Sequence, residues 1–243
     1  AYRAGGGKVI AFAHGECRIT TQHTSYWFRV TRFGHLEHVY YGKRLPDNQP
    51  MEPLAVKRTA QIGSSVLYDP SDETYCLDTI PLEWSGIGKG DYRHTPAEIH
   101  MPDNTFTADF RYQEHTITQG AIPMEALPTA CGDANDCQTL IVTMLDESTH
   151  VMLRLFYTVY TEMDIITRRV ELQNDNDANL TIRKVMSLSL DMPNDRFQML
   201  TLDGGWIREG HVHTRPVTYG TLVNDSTTGA SSNRHNPGFL LAA

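Results

Sequence analysis

The side chains with chemistry to offer fall in a few short stretches. Asp69, Asp72 and Glu73 crowd three carboxylates into a Pro-rich segment, DPSDE (69–73). Loops on a rigid scaffold carry binding groups more often than cores do, which makes these three candidate site residues. The competing reading is a solvated acidic turn closed by Asx-type bonds. GKGDYR (88–93) sets Asp91 and Arg93 two apart, beside glycines that allow a sharp turn and close backbone approach. In an extended segment these two share a face. They are either offered outward at an interface or cleft, or paired with each other to pin the surrounding chain. The second reading is favoured, because structural ion pairs also cluster in this way.

Metal and catalytic signatures are weaker. Glu209, His211 and His213 are spaced i, i+2, i+4 and would line one face of a strand. No fourth ligand or finger-type spacing accompanies them, so they read as a polar strand face and no metal site is assigned. NDND (174–177) lacks the twelve-residue calcium pattern and reads as a turn. The polar run 231–236 reads as a turn rich in side chain to backbone bonds. Neither a Gly-x-Ser-x-Gly elbow nor a P-loop occurs. No catalytic residue and no cofactor are predicted for this chain.

Strands must position these groups. In TFTADFRYQ (105–113), Phe106, Ala108, Phe110 and Tyr112 alternate with polar residues, the pattern of a half-buried strand. The same period runs through Tyr26, Phe28 and Val30, with HLEHVYY (35–41) as the return after Phe33-Gly34. It recurs at Leu140, Val142 and Met144, then after the polar turn 146–148 from Val151 to Val159. Residues 164–190 read as a hairpin turned at 174–177, with β-branched residues on both arms. Further short strands are expected over 197–202, 206–214 and 238–241. No amphipathic helix of three turns is evident. Prolines interrupt 43–96, which reads as a long irregular insertion. The fold class is therefore all-β, a large two-sheet sandwich with few helices. It forms one domain over 8–243, after a flexible Gly-rich terminus or cloning remnant at 1–7.

Composition narrows the partners. The 243 residues hold 21 Lys and Arg against 29 Asp and Glu, a formal charge of −8, with no basic run. Nucleic acid is not an expected partner, since binding it begins with phosphate neutralisation. No apolar stretch approaches the roughly 20 residues of a membrane-spanning helix, so no membrane partner is expected. Four cysteines without a CxxC pair fit a reduced, cytoplasmic compartment better than a disulfide scaffold.

Four ordered segments resemble the amino-terminal domain of the family 36 glycoside hydrolases, the bacterial α-galactosidases. They are SYWFRVTRFGHLEHVYYGKRL (25–45); YDPSDETYCLDTIPLEWSGIGKGDYRHTPAEI (68–99), followed by DFRYQEHTITQGAIPMEALPTA (109–130); LRLFYTVYTEMDIITRRVELQN (153–174); and the stretch from MSLSLDMP (186–193) through DGGWIREGHVHTRPV (203–217) to GASSNRHNPGFLL (229–241). The resemblance implies a supersandwich-like fold and a parent enzyme that removes terminal α-galactose from melibiose- or raffinose-type sugars with retention. In the family the two carboxylates that do this sit on a (β/α)₈ barrel after the sandwich. A barrel takes roughly 250 residues, and its KWD-type motifs have no counterpart here. The barrel is therefore expected to lie outside this chain, the sandwich to be incomplete at its C-terminal end, and the chain alone to hydrolyse nothing.

The resemblance also implies that the loop of Asp69, Asp72 and Glu73 projects toward a sugar cleft, often that of a neighbouring subunit. The family carries arginine where this chain has Glu73, which reverses the charge and removes a planar donor group. Partners implied are the catalytic barrel, neighbouring subunits and α-galactoside sugars, and an exposed apolar patch is expected where they dock. Two other readings compete. A stand-alone carbohydrate-binding module needs an exposed aromatic platform, for which Trp27, Trp84 and Trp206 are candidates. An aldose-epimerase-like enzyme needs a His and a carboxylate facing each other in a deep cleft, for which Glu209 with His211 or His213 is the nearest set.

Overall fold

The computed structural model describes residues 9–56, 66–127, 129–192, 194, 196–226, 232 and 234–242. Its first sheet is antiparallel, in the order β1-β2-β3-β4. β1 (Ile10–Ala13) and β2 (Glu16–Thr20) form a hairpin whose two turn residues, His14 and Gly15, both take positive φ, 52° and 79°. That geometry matches the right-handed twist of the arms. β3 (Thr24–Val30) and β4 (Leu36–Lys43) follow as expected from their alternation. β1 and β2 were not expected, being too short to display a period.

β5 (Ala97–His100) comes after the insertion, and a second four-stranded antiparallel sheet then follows. It contains β6 (Phe110–Gln119), β7 (Gln138–Asp146), β8 (Val151–Tyr160) and β9 (Ile165–Asn174), in chain order. The strand expected over 105–113 begins only at Phe110, because the preceding residues are held otherwise. Asp103 Oδ1 accepts from the backbone N of Thr105 at 3.0 Å, and Asp146 Oδ2 accepts from the backbone N of Asp109 at 2.7 Å.

Residues 164–190 are not a hairpin, which corrects the expectation from sequence. β9 pairs along its whole length with β8, across a single 3₁₀ turn (Thr161–Met163). β10 (Thr181–Val185) crosses instead to pair antiparallel with β5. Two pressures explain this. The β8–β9 turn closes with four residues between Tyr160 and Ile165, and β5 needs a partner for its backbone groups.

The two four-stranded sheets share one core. Ile19, Tyr26 and Phe28 from the first meet Leu140, Val142, Met144, Leu153, Leu155 and Tyr157 from the second, with Ile99 of β5. The rings of Phe28 and Tyr157 stack at 5.2 Å between centroids. The layers face each other as a sandwich, and inward residues alternate with outward ones along each strand.

Residues 44–96 contain no strand among the described residues, as expected of the insertion; 57–65, like 1–7, lie outside them. All four cysteines are free. Among the described residues no helix is long and apolar enough to cross a membrane.

The chain divides into two compact units, Ala1–Asp191 and Met192–Ala243. The second is a three-stranded antiparallel sheet of β11 (Gln198–Gly205), β12 (Arg208–Pro216) and β13 (His235–Ala242), with β11 central. Val212, Phe239 and Leu240 on its strands are each more than half exposed. Ser231 and Asn233 of the expected polar turn lie outside the described residues.

Candidate functional site

The loop carrying Asp69, Asp72 and Glu73 has a packed stem and a tip at which Pro70, Ser71, Glu73 and Thr74 are exposed while Asp69 and Asp72 are half-buried. At the stem, Tyr68 and Tyr75 pack against Phe33 from the β3–β4 turn, with ring centroids 5.1 and 4.6 Å away. Their hydroxyls enter a polar chain. Tyr75 Oη bonds Thr31 Oγ1 at 2.6 Å and His35 Nδ1 at 2.8 Å; His35 Nε2 bonds Asp109 Oδ1 at 2.9 Å; Tyr68 Oη donates to Asp109 Oδ2 at 2.8 Å. Burial, the largest influence on the Asp109 carboxyl, favours its neutral form. The bonds from His35 and Tyr68 outweigh it and hold the group below its ordinary value. Both tyrosines are pushed upward, first by burial.

At the tip, two Asx turns follow one another. Asp69 Oδ1 accepts from the backbone N of Ser71 at 2.8 Å and from its Oγ at 2.6 Å. Asp72 Oδ1 accepts from the backbone N of Thr74 at 3.0 Å and from its Oγ1 at 2.6 Å. The Ser71 bonds draw the Asp69 carboxyl below its ordinary value. Asp72 also pairs with Arg32, whose guanidinium lies over the Phe33 ring at 5.2 Å. Glu73 is exposed. Beside the tip lies a cavity of about 660 Å³, walled by Arg29, Arg32, Glu37, Glu52, Thr74 and Tyr75. Arg29 bridges Glu37 and Glu52 across it at 2.6 and 2.5 Å.

Asp91 and Arg93 stand apart from that tip. Arg93 Nε and Nη2 reach the two carboxylate oxygens of Asp91, each at 3.0 Å. The same guanidinium donates to the carbonyls of Leu77 and Ile80, each at 2.8 Å, and to Asp191 Oδ2 at 2.9 Å. Asp91 is buried. The pair ties three parts of the chain together, and its donors are committed internally. Gly90 takes φ of 82°, and a Cβ there would come 2.6 Å from the carbonyl oxygen of Val66, so the turn is closed to larger residues.

Of the residues named for the two competing readings, the tryptophans are dispersed and the Glu and His residues share one strand. Trp27 and Trp84 are buried in hydrophobic cores, and Trp206 alone of the three is exposed, at the β11–β12 turn. Glu209, His211 and His213 lie on the exposed strand β12.

A family model described as the Glycosyl hydrolase family 36 N-terminal domain matches residues 34–243. The chain belongs to this family. It is 31% identical over 222 residues to the bifunctional alpha-galactosidase/sucrose kinase AgaSK of Mediterraneibacter gnavus, covering 91% of this chain and 24% of that protein. It resembles the family 36 α-galactosidase AgaB of Geobacillus stearothermophilus with a TM-score of 0.89 at 28% identity, covering 97% of this chain and 32% of that one. A variant of AgaA from the same organism, solved in complex with raffinose, matches with a TM-score of 0.85 at 28% identity, over 93% of this chain and 31% of that one. The chain thus spans a quarter to a third of the length of these relatives.

Within this N-terminal family 36 domain, one polar cluster escaped the sequence reading. Glu83, from the insertion, lies fully buried between the sheets. Its carboxylate accepts from Tyr26 Oη at 2.8 Å, Tyr157 Oη at 2.6 Å and Arg168 Nη1 at 2.9 Å, and bonds His38 Nδ1 at 2.7 Å. Burial is the largest influence on it and favours the neutral acid. The His38 bond and the nearby Arg168 charge prevail, holding the carboxyl below its ordinary value. The only signal available was that inward positions of three expected strands hold Tyr, Tyr and Arg, donors in search of an acceptor.

Proposed function

We propose that this chain is the non-catalytic N-terminal domain of an α-galactosidase acting on melibiose- or raffinose-type galactosides with retention of configuration. It supports the catalytic domain, contributes to assembly with neighbouring subunits in the cytoplasm, and lends the 69–73 tip to the rim of the sugar cleft. The observation that carries this reading is the match of nearly the whole chain to about a third of solved α-galactosidases, one of them holding raffinose. The anatomy of the loop agrees in part: a fixed stem carries a tip where Glu73 is exposed, while Asp69 and Asp72 are half-buried and Asp72 is paired with Arg32, so Glu73 and Asp69 are the carboxylates best placed to meet a ligand outside the domain. The exposed apolar residues of the β11–β13 sheet suit docking. One domain over 8–243 is part of the same proposal.

The test is an α-galactoside assay on the purified chain and on the same chain joined to a family 36 catalytic domain. The chain alone should release no nitrophenol from the nitrophenyl galactoside. In the joined protein, Asp69→Ala with Asp72→Ala should raise KM for raffinose more than for the nitrophenyl substrate. Nitrophenol release in proportion to the chain alone would overturn the non-catalytic assignment. Equal KM values would remove the tip from the cleft.

A further inference from the structure

The cavity beside the loop stem is built from the outer face of the first sheet and two stretches of the insertion. Arg29 and Glu37 are direct partners across β3 and β4, so their side chains leave the same face of the sheet. Phe28, the neighbour of Arg29, turns the other way, into the core between the sheets. Glu52 joins the wall from one part of the insertion, Thr74 and Tyr75 from another. The space is about 660 Å³, within the roughly 300–1,000 Å³ of sites that hold small molecules.

The polar groups of this wall reach solvent. The side chains of Arg32 and Glu52 are 57% and 60% exposed and mark the mouth. Those of Arg29 and Glu37, 27% and 7% exposed, lie deeper. Arg29 donates from Nε to Glu37 Oε2 and from Nη1 to Glu52 Oε2. Its Nη2, and Glu37 Oε1, have no bonding partner among the described residues, and neither atom is sealed from solvent. The two carboxylates already fix the guanidinium, so a ligand meeting Nη2 finds it ordered in advance.

Charge selects the ligand class. Two arginines and two glutamates share the wall, so their formal charges cancel. An anion would meet Glu37 and Glu52, and a cation would meet Arg29 and Arg32. A hydroxyl meets neither penalty, because it accepts from a guanidinium and donates to a carboxylate. One unused donor and one unused acceptor on a bonded pair suit two hydroxyls on neighbouring carbons. Val56 and Ile80 add apolar wall for the C–H faces of a ring. We propose that this cavity is a saccharide site carried wholly by this chain. It takes a neutral disaccharide, held through adjacent hydroxyls on Arg29 Nη2 and Glu37 Oε1. The site is independent of whether the 69–73 tip meets a catalytic cleft.

The experiment is an NMR titration of the full chain with melibiose, a neutral disaccharide, with inorganic phosphate as the anionic probe. The backbone amides of Arg29, Thr31, Glu37 and Thr79 should shift together and saturate, and phosphate should not displace the sugar. Val56→Trp fills the cavity from a position 45% exposed and should weaken binding roughly tenfold. Arg29→Lys keeps the charge but cannot hold two carboxylates and a hydroxyl together, and should weaken binding by about the same factor. If circular dichroism shows the lysine variant unfolded, Val56→Trp decides the matter. Glu73→Ala, at the exposed tip, should leave binding unchanged. No saturable shift, shifts centred elsewhere, binding unaffected by Val56→Trp, or displacement by phosphate would each overturn the proposal. Loss of binding in Glu73→Ala would move the sugar to the tip and overturn it as well. Because no catalytic domain is present in this titration, a negative result leaves the cleft-rim role of the tip standing on its own test in the joined protein.

Discussion

Replacing Glu83 by alanine should destabilise the first compact unit by about 3–5 kcal/mol, the usual cost of stripping one partner from a buried ion pair. The figure follows from what is left behind. Arg168 would keep its charge at 6% exposure with no counter-ion. Tyr26 and Tyr157 would lose the acceptor of bonds at 2.8 and 2.6 Å. Counting bonds to a charged group at about 1.5–3 kcal/mol each would give more, but members of one network are not additive and the hydroxyls can re-pair. Against a total stability of roughly 5–15 kcal/mol for a domain, the loss is large enough to measure without ambiguity. Urea unfolding followed by tyrosine and tryptophan fluorescence should show a lower midpoint with an unchanged slope.

The pH dependence gives an independent check. Because the folded state holds this carboxyl below its ordinary value of 4.5, its contribution is present above about 4.5 and is lost as pH falls through the lowered value. Glu83→Gln, nearly the same shape, should therefore flatten the acid limb of the stability curve below about pH 4.5. The double variant Glu83→Leu, Arg168→Met should be more stable than either single one, since the pair's cost is desolvation and its removal leaves no orphan charge. A loss under about 1 kcal/mol in Glu83→Ala, or strict additivity in the double variant, would refute the view that these residues act as one unit.

Leu155→Ala, at a fully buried position facing Phe28 and its neighbours, should cost about 2–5 kcal/mol, read from the urea midpoint. Gly90→Ala should cost about 1–3 kcal/mol, since φ of 82° and the Val66 carbonyl both oppose a Cβ, and limited proteolysis of the insertion should quicken. Arg93→Lys keeps one charge but cannot reach two aspartates and two carbonyls together; cleavage within the insertion should rise with little change in the global midpoint. For Asp164, burial favours the neutral form, but bonds from Thr21 and His23 bring the carboxyl down to about 2. Its support of the 21–24 turn should persist above about pH 3.8 and fade toward 2, which an NMR titration of wild type against Asp164→Asn would detect.

The strands were legible where apolar and polar residues alternate in the sequence, most directly where one face is buried and the other wet. That condition held for β6 and the first half of β8; β3 buries both faces, Tyr26 and Phe28 in one core and Trp27 in another, and was legible only because Arg29 and Thr31 kept the period of two visible. The condition did not hold for β1 and β2, which are four and five residues long, or for β5, whose AEIH carries no distinctive pattern. Pairing was less legible than existence. The polar run 174–177 looks like a hairpin turn by composition, yet β9 had a nearer partner in β8 across a shorter turn. Local turn chemistry says that the chain bends, not which strand lies beside which. The candidate tip was visible because three carboxylates and a proline lie within five residues. Glu83 was not, because it sits in an irregular segment where no period marks one side as inward. Its partners come from β3, β4, β8 and β9, separated in sequence by up to 85 residues.

The loop and the sandwich are one construction problem. His35 ends the β3–β4 turn and Asp109 precedes β6, so the chain Tyr75–His35–Asp109–Tyr68 joins both four-stranded sheets to the two tyrosines that flank the tip. Gly34 tightens the same junction: its φ is 89°, its carbonyl accepts from the backbone N of Tyr112 at 2.7 Å, and a Cβ would come 3.1 Å from that of Arg111. The direction in which Asp69 and Asp72 face is therefore set by residues in neither the loop nor any ligand contact. His35→Leu should leave both Asx turns intact, since their bonds are local, while freeing the stem that aims them. In an α-galactosidase that uses this tip, such a variant should shift KM for raffinose with the tip's own carboxylates unchanged, as expected of a residue that positions others rather than touching sugar. Amide exchange at Ser71 and Thr74 distinguishes the cases. Protection there should survive His35→Leu if the Asx turns are autonomous, and should vanish if the tip owes its shape to the stem.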